Sequence, residues 1–283
     1  LIVNNHHVIC ILITTLLTSF ILTFLAKNVA HHIGAIDIPN ERKVHTKPTP
    51  RLGGLAIYGA FLLGYILYGS INTQMLSILI GSFIIFIMGM IDDINSLRAR
   101  YKLIVQIVAA LVVVIYGQIY FTEITFLGLH LVFNTFWGYL LSLFFIIAAI
   151  NAINLIDGLD GLAAGISSIY FLTIGIIAFI LDRIGGLDII LTFIMLGSTL
   201  GFLIHNFPPA KIFMGDSGSQ FLGFMIAVIS LLGFKVATLT SLVIPIVILA
   251  IPIFDTLFAI LRRLIKHQNI GIADKEHFHH QLL

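Results

Sequence analysis

The chain has 283 residues, of which 59% are hydrophobic and only 10% charged, and its mean hydropathy is +1.09. Soluble globular domains carry about 25% charged residues, so that class is excluded. A net charge of +2, with no basic run interleaved with aromatics, argues for no nucleic acid partner. What the composition does demand is a lipid bilayer. A chain of this length suits eight to ten helices of about 20 apolar residues each. Cys10 is the only cysteine, so no intrachain disulfide can form, and it reads as lipid-facing or packed filler.

Nine apolar spans follow in order, at about 8–26, 53–69, 74–91, 102–120, 136–153, 162–181, 187–204, 218–233 and 239–261. The fold class expected is all-α: a polytopic membrane helical bundle. No Lys or Arg precedes the first span and no small-residue cleavage site follows it, so a secretory signal is not expected. Thirteen of the fifteen Lys and Arg fall in the odd-numbered connections, leaving Arg183 and Lys235 on the other side. The positive-inside rule then puts the N-terminus outside and the odd connections in the cytoplasm. Tyr68, Tyr116, Tyr120, Trp137 and Tyr139 fall at the expected outer ends, as an aromatic belt would. The outer connection 121–135 is long enough for a short hairpin and carries no visible chemistry.

Ten of the thirteen acidic residues also lie on the expected cytoplasmic side, which the positive-inside rule does not require. Asp92, Asp93, Asp157, Asp160 and Asp216 abut helix ends in three connections. Any one of them reads equally well as a solvated cap. Five together predict a shallow cytoplasmic cleft needing a cation, and an oxygen-rich site of this kind suits Mg²⁺.

The third span closes as GMIDD. Neighbouring residues on a helix point roughly 100° apart, so Asp92 and Asp93 are expected to divide labour, one near the metal and one near an acceptor as base. Arg98, Arg100 and Lys102 follow, suited to a phosphate or to lipid headgroups; plain topology signalling is the simpler account of the two arginines. Between spans five and six runs NAINLIDGLDG. Asn154, Asp157 and Asp160 recur every three residues, on one face if the fifth helix runs through Asp157. Gly158 and Gly161 allow close backbone approach to a ligand. Spans seven and eight are joined by HNFPPAKIFMGDSG, where Asp216 and Ser217 are good N-cap types at a helix start that favours anions. Phe213 is either interfacial or a stacking surface for a planar ligand.

The loop HTKPTPRLGG enters span two, and Lys47 in it is a compact phosphate-binding charge or part of a stiff connector. Asp255, inside span nine, reads as structural support facing the bundle interior, paired with Arg262 or Arg263. The closing HFHH run has no cysteine beside it. Its histidines serve a phosphate cleft as donors better than they serve a transition metal.

Taken together, HTKPTPRLGG, GMIDD, NAINLIDGLDG, HNFPPAKIFMGDSGS, PIFDT with its following arginines, and HFHH resemble the polyprenyl-phosphate N-acetylhexosamine-1-phosphate transferase superfamily (glycosyltransferase family 4), in family order across about residues 37–280. The resemblance implies transfer of a sugar-1-phosphate from a UDP-sugar to undecaprenyl phosphate, with release of UMP and a requirement for Mg²⁺ or Mn²⁺. Carried over by motif, Asp216 resembles the principal metal ligand, with Asn154 or the Asp92/Asp93 pair beside it. Asp92 resembles the residue held to deprotonate the lipid phosphate, and Asp157 an active-site acid. Gly158, Leu159, Asp160, Asn206, Phe213 and Lys47 resemble the uridine pocket, and His279 and His280 resemble diphosphate contacts; Lys102 is grouped with the substrate-binding residues.

The H-x-H-H form of the histidine motif points to UDP-GlcNAc as donor, in the branch that initiates teichoic acid and O-antigen synthesis. The alternative is the phospho-MurNAc-pentapeptide transferases that make lipid I. The family implies a bacterial cytoplasmic membrane and allows a homodimer. Residues 1–283 are expected to be a single transferase domain shortened at its C-terminus, because the family pattern runs through at least one more span. An ion-coupled transporter is the rival from another class, but its acids belong near the membrane midplane rather than at one face. The CDP-alcohol phosphotransferases need Ala-Arg after the Asp-Gly pair, which Asp157-Gly158 lacks.

Overall fold

In the computed structural model, which describes residues 5–39, 48–126, 129–180 and 186–234, regular structure is almost entirely helical. The order is α1 (Asn5–Ile33), β1 (Ile36–Asp37), β2 (Thr49–Pro50), α2 (Gly54–Tyr68), α3 (Thr73–Ile94) and α4 (Ala99–Leu111), which continues as a π-helical turn, Val112–Tyr116. Then come β3 (Glu123–Phe126), β4 (Leu129–Val132), α5 (Thr135–Ile156), α6 (Leu162–Ile180), α7 (Leu187–Asn206) and α8 (Gly215–Phe234). Seven of these helices are long and apolar enough to cross a membrane, and α2, at 15 residues, is the short one. This is a multi-pass membrane protein. The ninth expected span, 239–261, lies outside the described residues.

Helix α8 is central. It packs against α2, α3, α5, α6 and α7, and 94% of its apolar window lies inside the protein, against 28% for α1 and α4 at the periphery. A helix surrounded on all sides needs neighbours that come close, and small residues allow it. A methyl group at Gly89 of α3 would sit 2.4 Å from the Ser217 Cα, and one at Gly54 of α2 would sit 2.3 Å from the Gly218 nitrogen. The α1–α7 seam is built the same way: methyls at Gly197 and Gly201, one turn apart, would strike Thr15 Oγ1 at 2.1 Å and the Leu16 carbonyl at 2.3 Å.

Local signals set the helix starts. Asn72 accepts from the Met75 N–H at 2.7 Å and Asn134 from the Trp137 N–H at 3.0 Å, which caps α3 and α5. The first helix is longer than its apolar run, because Ala26 and Ala30 are fully buried one turn apart and carry it on through Lys27, His31 and His32. Packing against the β1–β2 ladder and Leu52 extends this helix where hydropathy had ended it. The connection between α4 and α5 does contain a hairpin, β3 against β4 in antiparallel register. One further expectation needs correcting. Helix α5 stops at Ile156, so Asn154, Asp157 and Asp160 do not share a helical face; Asp157 caps the helix end and Asp160 sits in the turn before α6.

Candidate active site

Four chain segments meet at one end of the bundle: the strip before α2, the end of α3 with the start of α4, the end of α5, and the start of α8. The strip 49–54 is stitched to the strip before α8 by backbone alone. Phe213 N–H donates to the Pro50 carbonyl at 2.8 Å, Gly53 N–H to Phe213 at 2.9 Å and Gly54 N–H to Met214 at 2.8 Å. Arg51 and Phe213 thus form a parallel bridge, and Pro50 pairs with Ile36 on the other side.

This stitching delivers the Arg51 guanidinium between two carboxylates. Its Nε lies 3.1 Å from Asp93 Oδ1 and its Nη2 3.2 Å from Asp216 Oδ1. Burial pulls the Arg51 pKa down, but Asp93, Asp216, Asp37 and Asp92 together more than reverse this, so the group stays charged. Lys102, in the first turn of α4, sets its ammonium against Asp92 Oδ2 and 2.8 Å from Asp216 Oδ2. Asn154 Nδ2 completes the ring around Asp216, at 3.1 Å from Oδ1, and also donates to Ser219 Oγ at 2.8 Å. Asp216 is therefore the convergence point, the carboxylate on which α3, α4, α5 and the Arg51 strip agree.

The two adjacent acids of α3 turn to different partners, as their 100° separation requires. Asp92 takes the Leu97 N–H at 2.6 Å on one oxygen and Lys102 on the other. Asp93 faces the start of α8. It accepts the Asp216 N–H at 2.7 Å, the Ser217 N–H at 3.0 Å and the Ser217 hydroxyl at 2.7 Å, with its side chain fully buried. A helix N-terminus leaves its first N–H groups without partners, and a carboxylate there answers both the hydrogen bonds and the dipole. The cap of α8 thus comes from another helix, while Asp216 and Ser217 supply the N–H groups being capped. Gly215 makes room for it: its φ is +75°, and a Cβ there would lie 2.5 Å from Asp93 Oδ2.

The segments expected to hold a nucleotide are tied to one another. Asp160 accepts the Ala210 N–H at 2.8 Å. Asn206 accepts the Gly161 N–H at 3.1 Å and donates to the Ile212 carbonyl at 2.9 Å. Both side chains brace the 158–161 turn against the 206–213 loop, leaving Gly158 exposed and Leu159 and Phe213 half-buried on the rim. Asp157 is half-buried near the charged centre. Desolvation, then repulsion from Asp216 and Asp93, pushes its carboxyl well above the usual range, with Arg51 opposing. Lys47, His279 and His280 lie outside the described residues, as do Asp255 and the rest of HFHH.

Arg51 is the contributor that sequence reasoning missed. Nothing in its local pattern separates it from the topology charges around it; only its place two residues before the Gly53-Gly54 pair hints at it. Arg98 and Arg100 are both exposed, and Arg100 stacks over the Tyr101 ring at 4.8 Å.

Among the described residues no three His, Cys, Asp or Glu side chains are arranged to hold a metal. The donor set nevertheless fits Mg²⁺, which binds through one or two carboxylates and completes its shell with water and substrate phosphates. Asp92 and Asp216 already converge on one cationic group, the Lys102 ammonium. The Asn154 amide beside them offers a neutral oxygen if turned over.

An apolar bundle with a carboxylate centre ringed by Arg51, Lys102 and Asn154 at one end defines a class: an integral-membrane protein with an ion-paired polar site at the end of its helices. Similarity to known proteins narrows this. The family model for glycosyl transferase family 4 matches residues 75–234. Over 98% of its length the chain is 46% identical to a Bacillus subtilis (strain 168) protein named as a probable undecaprenyl-phosphate N-acetylglucosaminyl 1-phosphate transferase, covering 77% of that protein. It is 35% identical to the decaprenyl-phosphate N-acetylglucosaminephosphotransferase of Mycolicibacterium smegmatis (94% of this chain, 74% of the relative). It is 33% identical to the undecaprenyl-phosphate alpha-N-acetylglucosaminyl 1-phosphate transferase of Escherichia coli K12 (96% and 75%). The chain belongs to glycosyl transferase family 4.

Proposed function

We propose that this protein transfers GlcNAc-1-phosphate from UDP-GlcNAc to undecaprenyl phosphate, releasing UMP and starting a cell-envelope polysaccharide. The observation that carries the reading is the Asp216 carboxylate held by Lys102, Arg51 and Asn154 beside Asp92, at the end of a bundle otherwise fit for lipid. Support for the substrates comes from the names of the three relatives. The nine-span topology, with the N-terminus outside and the cleft at the cytoplasmic face of a bacterial membrane, belongs to the same proposal and rests on the distribution of Lys and Arg.

In the reaction an oxygen of the lipid phosphate forms a bond to the sugar-bearing phosphorus of UDP-GlcNAc. The bond from that phosphorus to the UMP oxygen breaks, and UMP leaves with the electron pair. Such transfers need positioning and charge neutralisation more than covalent chemistry. Lys102 and Arg51 offset charge on the phosphates, and Asp92, freed from Lys102 as substrate enters, accepts a proton from the lipid phosphate. The braced 158–161 and 206–213 segments form the nucleotide side, with Phe213 as a stacking surface for uracil. Bound at Asp216 with Asn154, Mg²⁺ would supply Lewis-acid polarisation of the diphosphate.

Purified protein given Mg²⁺, UDP-GlcNAc and undecaprenyl phosphate is expected to release UMP, and Asp216→Ala to abolish this. Persistent release by the variant would remove Asp216 from its role. Turnover with UDP-MurNAc-pentapeptide alone would move the protein to the lipid I branch.

A further inference from the structure

One turn beneath the charged centre lies a second polar layer that the proposed chemistry does not use. Asn151 Nδ2 donates to Gln106 Oε1 at 2.9 Å, and Gln106 Nε2 donates to Gln220 Oε1 at 3.0 Å. Gln106 and Gln220 are buried to 2% and 1% exposure, while Asn151 sits at the exposed edge and also donates to the Ile147 carbonyl at 2.8 Å. The three residues belong to α4, α8 and α5, the helices that present Lys102, Asp216 and Asn154. Each lies one turn from its partner in the layer above: Gln106 follows Lys102 by four positions, Gln220 follows Asp216 by four, and Asn151 precedes Asn154 by three. Residues so spaced share a helical face.

A primary amide has a direction, since its oxygen accepts and its nitrogen donates. Gln106 spends its oxygen on α5 and its nitrogen on α8. A slip of one residue turns a helix by about 100° and breaks the relay outright. The layer is also incomplete as a packing device, because the Gln220 Nε2 atom is buried with no hydrogen-bond partner among the described residues. A buried donor left unmade costs stability that an apolar side chain of the same shape would recover. We infer that Gln106, Gln220 and Asn151 form a positioning layer that sets the rotation and depth of α4, α8 and α5, so that Lys102, Asp216 and Asn154 meet. The inference rests on the reading of that centre as the transferase site.

Gln106→Met and Gln220→Met made together keep the side-chain shapes and remove the relay without leaving either buried amide unpaired, because the remaining member, Asn151, lies at the exposed edge. The double variant is expected to leave the melting temperature of the purified protein unchanged or raised, while kcat for UMP release falls about 10- to 100-fold, the loss associated with a misplacement near 1 Å. KM for UDP-GlcNAc is expected to hold within about twofold, since the loss falls on the transition state. In a Lys102→Ala background, Gln106→Met should cost nothing further, because its effect runs through that lysine. Independently of turnover, Lys102 should react severalfold faster with a water-soluble amine acylating reagent in the double variant than in the parent, read by mass spectrometry. If the parent releases no UMP, the reading of function fails, and the acylation comparison still decides this inference. Unchanged kcat, a kcat loss tracking a drop in melting temperature, or unchanged Lys102 acylation would each overturn it.

Discussion

Replacing Asp93 by Asn separates two roles that adjacent carboxylates are easily given. The substitution keeps the shape and removes the charge. In the parent, Asp93 Oδ2 accepts both the Ser217 N–H and the Ser217 hydroxyl, Oδ1 accepts the Asp216 N–H, and Arg51 Nε lies against Oδ1. An amide has one acceptor oxygen, so its NH₂ must face a donor that was satisfied before. An orphaned buried N–H costs roughly 1–3 kcal/mol, and a lost N-cap typically about 1 kcal/mol. Arg51 keeps Asp216 as its partner, which spares the larger penalty of a stranded charge. The sum is about 3 kcal/mol on the start of the central helix. Thermal unfolding of detergent-purified Asp93→Asn should therefore come several degrees below the parent. UMP release, measured well below that temperature, should fall with the folded fraction or with displacement of Asp216. A variant that melted with the parent yet lost a hundredfold or more of its turnover would refute the capping argument and make Asp93 a participant in the chemistry.

Other outcomes follow from the same geometry. Gly89→Ala forces α3 away from the Ser217 Cα at 2.4 Å and should cost about 1–3 kcal/mol of stability, seen as a lowered melting temperature. A variant melting with the parent would mean that the α3–α8 seam is looser than described. Asn206→Ala removes the brace between Gly161 and Ile212, and is expected to raise KM for UDP-GlcNAc several-fold with kcat little changed, as loss of uniform binding does. A kcat loss at constant KM would contradict it. Asp157 carries a pH signature. Its folded pKa is raised, so the native state holds a proton that the unfolded chain releases near pH 3.9. That contribution is complete below the unfolded value and is lost as pH rises through the folded one, so stability declines towards alkaline pH. Asp157→Asn should flatten this decline in melting temperature against pH, and an unaltered slope would count against it.

The hydrophobic architecture was legible because a bilayer imposes a length. Eight of the apolar runs coincide with described helices, and where an edge was misplaced the cause is packing: α1 runs on through Lys27 to Ile33 over buried Ala26 and Ala30. The polar clusters were legible too. Acids and amides collected at helix ends in an otherwise apolar chain are conspicuous, and Asp92, Asp216 and Asn154 do come together. Their assignment by spacing was less secure. A period of three suggested one face for Asn154, Asp157 and Asp160, but α5 ends at Ile156, and the three side chains go to the charged centre, the helix end and the 206–213 loop.

What the sequence determined by itself is the class of solvent, the number and order of the apolar runs, and the chemical types available at their ends. Those depend on composition and on neighbours along the chain. Which acid meets which cation was decided only by tertiary structure. Asp93 capping α8, Arg51 reaching two carboxylates through a backbone bridge to Phe213, and Gln106 joining α5 to α8 are contacts between residues far apart in the chain. The physical reason lies in direction. A hydrogen bond or ion pair forms only when two side chains point at each other within about 3 Å, and helix packing, settled by close approaches such as Gly54 and Gly89 against α8, decides where each one points.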